Sequence, residues 1–288
     1  MKQIIVESPA KLNWLLHVGP ARPDGYHELT TVFQSLSFAD LLQVEVHDEP
    51  TCELSGFPAD IAPDKNLVVL AWKAMRLRHP DRVRGLAVSI EKRLPRGGGL
   101  GGGSSNAAAV LSAINTLYSL NLDPDELCET GGRIGADVPF FTYGGTALGR
   151  QRGDLITPLP DAPELWFVLV MPQEGMSTAA AFQEFDKMQR VAVSHHQMQE
   201  RIERLVSALH GGNPEAIAGA VGNDFELVAE SFAWYQEARQ RLLDAGVLKT
   251  LLCGSGSTVA GLCRDEAMAR SVALSVGGIA TRTRPAKV

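Results

Sequence analysis

The chain has 288 residues, 45% of them hydrophobic and 21% charged, which suits a globular protein of about two domains or two fused lobes. Its net charge of -6 argues against nucleic acid as the main partner, because a phosphate backbone calls for a basic face. The longest apolar run, Leu165–Met171, is too short to cross a bilayer, and the first residues lack the apolar core of a signal peptide, so the chain reads as cytoplasmic with no membrane partner.

Ile4–Val6, Leu12–Val18, Thr31–Phe38, Leu41–Val46 and Leu86–Ile90 carry the β-branched or alternating apolar residues of strands. Helical spacing marks Asn66–Arg78, Ser104–Leu120 and Asp125–Ile134, and Tyr143–Leu148 reads as a short strand. Pro158, Pro160 and Pro163 crowd the stretch Leu155–Glu164, which predicts a boundary between an N-terminal lobe, 1–155, and a C-terminal lobe, 156–288. Beyond it, strands at Trp166–Met171, Thr250–Cys253, Val259–Cys263 and Ile279–Arg284 accompany helices at Thr178–Met188, His195–Leu209, Asn213–Gly219, Phe225–Ala229, Trp234–Ala245 and Asp265–Ser275. Grouped strands with segregated helices predict an α+β fold rather than a doubly wound sheet. Cys52, Cys128, Cys253 and Cys263 show no paired spacing and read as buried thiols.

One segment stands apart. Pro95 to Asn106 reads Pro-Arg-Gly-Gly-Gly-Leu-Gly-Gly-Gly-Ser-Ser-Asn. Glycine gives up the most backbone entropy on folding, so such a run marks turns through positive φ or close approach to a ligand. It opens onto the helix at Ser104–Leu120, with Ser104 or Ser105 as the expected N-cap. Free N–H groups and the positive end of a helix dipole make such a place a phosphate site. The P-loop pattern fails, because Gly103 runs into Ser104 with no lysine. Gly97, Gly99 and Gly102 satisfy G-x-G-x-x-G, yet Lys92–Arg96 separate them from the preceding strand, and Asp123 lies in a loop rather than at a strand end.

Three further segments place small or polar residues where a core would want bulk. In Ser8-Pro-Ala-Lys-Leu-Asn13, Lys11 and Asn13 fall on one side of an extended strand, although taken alone an exposed lysine and asparagine explain them as well. In Gly135-Ala-Asp-Val-Pro-Phe140, Asp137 can project from a constrained backbone, or simply close an Asx turn or cap a helix. Cys253-Gly-Ser-Gly-Ser-Thr-Val-Ala260 is a second glycine loop between two strands.

In combination and in this order, the four motifs resemble the GHMP kinases, over nearly the whole chain. Arg22-Pro-Asp-Gly-Tyr-His27 and the doubled glycine triplet are similar to a branch of that family whose small-molecule substrate carries a cytidine diphosphate moiety on the way to isoprenoid precursors. The resemblance implies a two-lobed fold with the active site in the cleft between lobes. It also implies an ATP-dependent phosphotransferase with an alcohol acceptor, acting as monomer or homodimer. By the same resemblance, Pro95, Arg96, Gly97, Gly98, Gly99, Leu100, Gly101, Gly102, Gly103, Ser104 and Ser105 wrap the ATP phosphates. Asp137 is the general base for the acceptor hydroxyl, Lys11 contacts both, and Asn13 binds the acceptor portion. Tyr26 stacks on the cytosine, His27 reads its edge, and Phe182 covers its other face. Mg²⁺ is expected with ATP, its protein ligands left open between Ser104, Ser105 and others. The alternatives are another GHMP kinase, of the mevalonate or homoserine type, and a non-catalytic nucleotide-binding module.

Overall fold

A computed structural model describes residues 2–188 and 193–286. The elements, in chain order, begin with two long strands, β1 (Gln3–Ala21) and β2 (His27–His47). Each absorbs two of the short strands expected from sequence, because the polar interruptions at Ser8–Asn13 and Ala39–Asp40 stay extended with their polar groups satisfied inside. There follow β3 (Cys52–Ser55), a single 3-10 turn at Pro63–Lys65, α1 (Leu67–Arg78), β4 (Gly85–Glu91), α2 (Gly102–Leu117), α3 (Pro124–Gly132) and α4 (Val138–Tyr143). Next come β5 (Thr146–Arg150), β6 (Leu155–Pro158), β7 (Trp166–Val170), α5 (Thr178–Asp186), α6 (His195–Gly211), α7 (Pro214–Ala218), β8 (Gly222–Asn223) and α8 (Glu226–Ala229). The chain ends with α9 (Ala233–Asp244), β9 (Lys249–Leu252), β10 (Val259–Cys263), α10 (Glu266–Val276) and β11 (Ile279–Arg282). Local chemistry starts the helices: Asn66 accepts from the Val68 N–H, and Asp123 with Glu126 and Ser194 with Gln197 form capping boxes.

The chain divides into two compact units, each assembled from separated segments. One comprises Met1–Ala10, Phe38–Arg96 and Gly101–Gly144. In it β4 runs antiparallel to the later half of β2, from Leu41↔Glu91 to His47↔Gly85, and parallel to β3. Helices α1 to α4 pack on one another there, α2 contributing an unbroken row of buried alanines, Ala107, Ala108 and Ala109, that lets its neighbours approach closely.

The other unit comprises Lys11–Ser37, Gly97–Leu100 and Gly145–Val288. Here β5 pairs antiparallel with the earlier half of β2, β6 pairs with β5, and β8 runs parallel to β1 through Leu15↔Gly222 and Leu16↔Asn223. A second sheet has the order β11-β7-β10-β9 with every pairing antiparallel. Its core takes Leu16 and Val18 from β1 together with Val168, Phe185, Phe225, Tyr235 and Leu252. The proline-rich stretch expected as a lobe boundary holds β6.

Candidate active site

Lys11 and Asn13 lie on β1 and are both buried, at 4% and 1% exposure, which decides against two solvated side chains. They do share a side of the strand: Lys11 Nζ donates to Asn13 Oδ1 at 2.9 Å. Asn13 Nδ2 donates to Thr31 Oγ1 at 2.7 Å, and the Thr31 hydroxyl donates to the Leu15 carbonyl at 2.7 Å. Asn13 Oδ1 also accepts the Gly254 N–H at 3.1 Å, which ties β1 to the second glycine loop. That loop is held from behind by Asn223, whose amide nitrogen donates to the Leu252 and Gly254 carbonyls, each at 2.7 Å. Neither Thr31 nor Asn223 was marked by sequence, because a lone threonine or asparagine in a strand carries no spacing signal. The neighbouring Cys253 is fully buried, and that burial pushes its thiol up to about 12, so it is not a nucleophile at neutral pH.

The first glycine loop meets the second directly. Thr258 N donates to the Gly98 carbonyl at 3.2 Å, and Lys11 N donates to the Leu100 carbonyl at 3.0 Å. At Gly99, φ is +74°, and a Cβ there would sit 1.7 Å from the Cys253 carbonyl oxygen. Only glycine fits. The alternate glycines Gly97, Gly99 and Gly101 all have positive φ, and this zigzag starts α2 earlier than expected. Its N-cap is Gly101, left-handed at φ 71°, not Ser104 or Ser105, and no side chain caps the first turn. A serine cap would have used N–H groups that are instead left for an anion, at the positive end of a 16-residue helix.

Behind the loop, Asp40 is fully buried and accepts from Lys92 Nζ at 2.5 Å, Arg93 N at 2.7 Å and Leu94 N at 2.8 Å. With the Asn106 amide turned so that its nitrogen faces these acceptors, that nitrogen completes the cluster, 3.1 Å from Asp40 Oδ2 and 3.2 Å from the Gly102 carbonyl. Asp40 thus fixes both the chain entering the loop and the first turn of α2. Ser105 is buried with its hydroxyl unpartnered, while Ser104 is only half-buried. Arg96 is paired with Asp60 at 2.7 Å on the surface.

Asp137 precedes α4 in a tight passage from α3, where Gly135 N and Val138 N bond back to the Gly131 and Gly135 carbonyls. It occupies the N-cap position in right-handed helical geometry, yet its side chain makes no capping hydrogen bond. Helix capping therefore does not explain this aspartate. Its carboxylate is half-buried. Among the described residues, no group of three or more His, Cys, Asp or Glu side chains gathers as a metal site would need.

The turn joining β1 and β2 braces itself. Arg22 pairs with Glu28 at 2.6 Å and Asp24 at 3.2 Å, and Asp24 Oδ1 accepts the Tyr26 N–H at 3.2 Å. Tyr26 is left 52% exposed, with the Arg152 guanidinium 5.1 Å from its ring centroid. His27 is buried, its Nε2 2.8 Å from Asp186 Oδ1. Phe182, expected on the other face of a bound cytosine, stacks on the His27 imidazole, with centroids 4.8 Å apart and planes 16° from parallel. It also meets Phe225 in a T-shaped contact with centroids 4.9 Å apart. Asp186 was not marked by sequence, although its i+4 spacing from Phe182 was a readable signal that both face one way.

The family model described as GHMP kinases N terminal domain matches residues 66–145, and the one described as GHMP kinases C terminal matches residues 202–278. A 4-diphosphocytidyl-2-C-methyl-D-erythritol kinase of Nocardia farcinica is 38% identical over 98% of this chain and 93% of its own length. The protein of that name in Moorella thermoacetica is 37% identical over 95% of this chain and 94% of its own. A crystal structure of 4-(cytidine 5'-diphospho)-2C-methyl-D-erythritol kinase superposes with a TM-score of 0.79 at 32% identity, covering 97% of this chain and 98% of that one. Homoserine kinase from Cytophaga hutchinsonii, at 18% identity and a TM-score of 0.77, shares the fold.

Proposed function

The chain belongs to the GHMP kinases, and we propose that it transfers the γ-phosphoryl group of ATP to the 2-hydroxyl of 4-diphosphocytidyl-2-C-methyl-D-erythritol. It is a phosphotransferase with an alcohol acceptor, in the branch that builds isoprenoid precursors. The fold alone does not choose this substrate, since homoserine kinase shares it. What carries the choice is the exposed Tyr26 ring beside an imidazole locked by Phe182 and Asp186. That is a platform for a base, whose stacking is worth about 1–3 kcal/mol. In this reading Tyr26 offers its face to cytosine, His27 reads the polar edge, and Phe182, which backs the imidazole, borders the same base site.

Phosphoryl transfer needs positioning and charge neutralisation more than covalent help. The uncapped first turn of α2 and the left-handed glycines before it fit the ATP phosphates, whose oxygens take backbone N–H groups. The Ser104 hydroxyl, half-buried in the first turn of α2, is the side chain that would hold Mg²⁺, which would further neutralise the phosphate charge. The acceptor hydroxyl attacks the γ-phosphorus, ADP leaves, and Asp137 takes the hydroxyl proton. Lys11, buried and fixed by Asn13, supplies a positive charge for the alkoxide that develops on the acceptor. Asn13, which holds Lys11 through its amide oxygen, is the residue assigned to the acceptor portion. ATP as co-substrate and four cysteines outside any disulfide suit a cytoplasmic enzyme.

A coupled ADP-release assay tests the reading. Turnover is expected with the cytidyl substrate and not with mevalonate or homoserine; the reverse pattern would overturn it. Replacing Asp137 with Asn keeps shape and removes the base, so kcat should fall about 10²–10⁴-fold with ATP affinity nearly kept. Unchanged turnover would remove Asp137 from that role.

A further inference from the structure

His27 is gripped twice by one helix. Phe182 and Asp186 stand four residues apart on α5, so they share a face. The phenyl lies flat against the imidazole and the carboxylate meets its Nε2 at 2.8 Å. The helix itself cannot drift. Ser177 caps it, the Thr178 hydroxyl is 3.0 Å from the Ser255 hydroxyl on the second glycine loop, and Ala181 and Phe185 are fully buried.

Asp186 is half exposed, and a hydrogen bond so placed adds little to stability. Its consequence is chemical. A carboxylate only accepts, so Nε2 carries the proton, and in the neutral ring Nδ1 is left with its lone pair. Cytosine presents an amino group, a donor, at the position where uracil presents a carbonyl oxygen. We propose that Asp186 is the positioning residue that fixes His27 as a hydrogen-bond acceptor and so makes the site select cytidine over uridine nucleotides. Uracil would bring an oxygen against the Nδ1 lone pair, leaving two acceptors facing each other in a partly dry site. Such a mismatch lowers affinity by about ten- to a hundredfold. The proposal rests on the reading of Tyr26 and His27 as the base site.

Calorimetric binding of cytidine 5'-diphosphate and uridine 5'-diphosphate to the full chain tests it, alongside the nitrogen-15 spectrum of His27. The wild-type protein should prefer the cytidine nucleotide by about tenfold or more and show Nε2 protonated. Asp186→Ala should lower cytidine affinity about tenfold, leave uridine affinity nearly unchanged, and keep ATP binding and melting temperature. Asp186→Asn, whose amide oxygen can still accept from Nε2, should retain most of the preference. A purely structural role would weaken both nucleotides together in each variant. A preference that survives Asp186→Ala, or a wild-type His27 protonated at Nδ1, would overturn the proposal. If wild type shows no preference at all, while Nε2 is protonated, the base-site reading fails instead.

Discussion

At the scale of single residues, burial decides which polar groups do chemistry. Lys11 and Asn13 keep company with Thr31 and the Gly254 amide, so they are fixed before any ligand arrives. Glu226, at the start of α8, shows the same burial acting on stability. Burial raises its pKa, with the Leu252 N–H and Lys249 pulling the other way. The folded state therefore favours the protonated form. Its stabilising effect is complete below the ordinary glutamate range and is lost as pH rises through the raised value. Glu226→Gln keeps an oxygen for the Leu252 N–H and removes the charge. It should melt higher than wild type at pH 8, with the difference shrinking as pH falls toward 4. A gap that widened toward acid would show that the sign is wrong. Sequence alternation placed Lys11 and Asn13 on one side of a strand, because period two is a local property. It could not place Phe182, whose partner His27 lies far away along the chain and is met only through tertiary packing.

At the scale of elements, the glycine run is two kinds of glycine in one string. Gly97 and Gly99 share a left-handed backbone, φ +68° and +74°, but not their surroundings. A Cβ at Gly97 would meet nothing within 4 Å, whereas one at Gly99 would overlap the Cys253 carbonyl. Gly97→Ala should therefore cost about 1–2 kcal/mol, the penalty for an L-residue in that region. Gly99→Ala must in addition push the two glycine loops apart, disturbing Gly254 and with it Asn13. The expected outcome is a mildly destabilised Gly97→Ala that still turns over, and a Gly99→Ala with activity reduced far beyond its shift in melting temperature. Equal behaviour of the two would mean that the loops do not support each other. Composition made the loop legible, but not the helix start. Ser104 and Ser105 look like caps by type, yet the alternating left-handed glycines wind the backbone into helix at Gly102. Asp40, which holds the loop's entrance, lies in β2 more than fifty residues upstream, where nothing local distinguishes it from any aspartate between strands.

At the scale of the whole molecule, helix and strand types were largely legible because each has its own period, whereas the assembly of segments was not. A proline-rich stretch is a sound local sign of a break. It says nothing about which distant strands share a core. Residues Lys11–Ser37 belong with Gly145–Val288, and Leu16 and Val18 sit in the same apolar cluster as Phe185, Phe225 and Val259. β8 has β1 as its parallel partner, and β5 has β2 as its antiparallel one. A fragment of residues 156–288 would keep the β11-β7-β10-β9 sheet but lose β1, β2 and the glycines that rest on Cys253. Expressed alone, it should expose Phe225 and Val168 to water and melt without a cooperative transition, as followed by near-ultraviolet circular dichroism. Adding back residues 11–37 by circular permutation, joined ahead of 145–288, should recover cooperativity in part, because it restores the missing wall of that core. A sharp, two-state melt of 156–288 alone would show instead that the second sheet and its helices are a self-sufficient domain, and that β1 is attached to it without being needed.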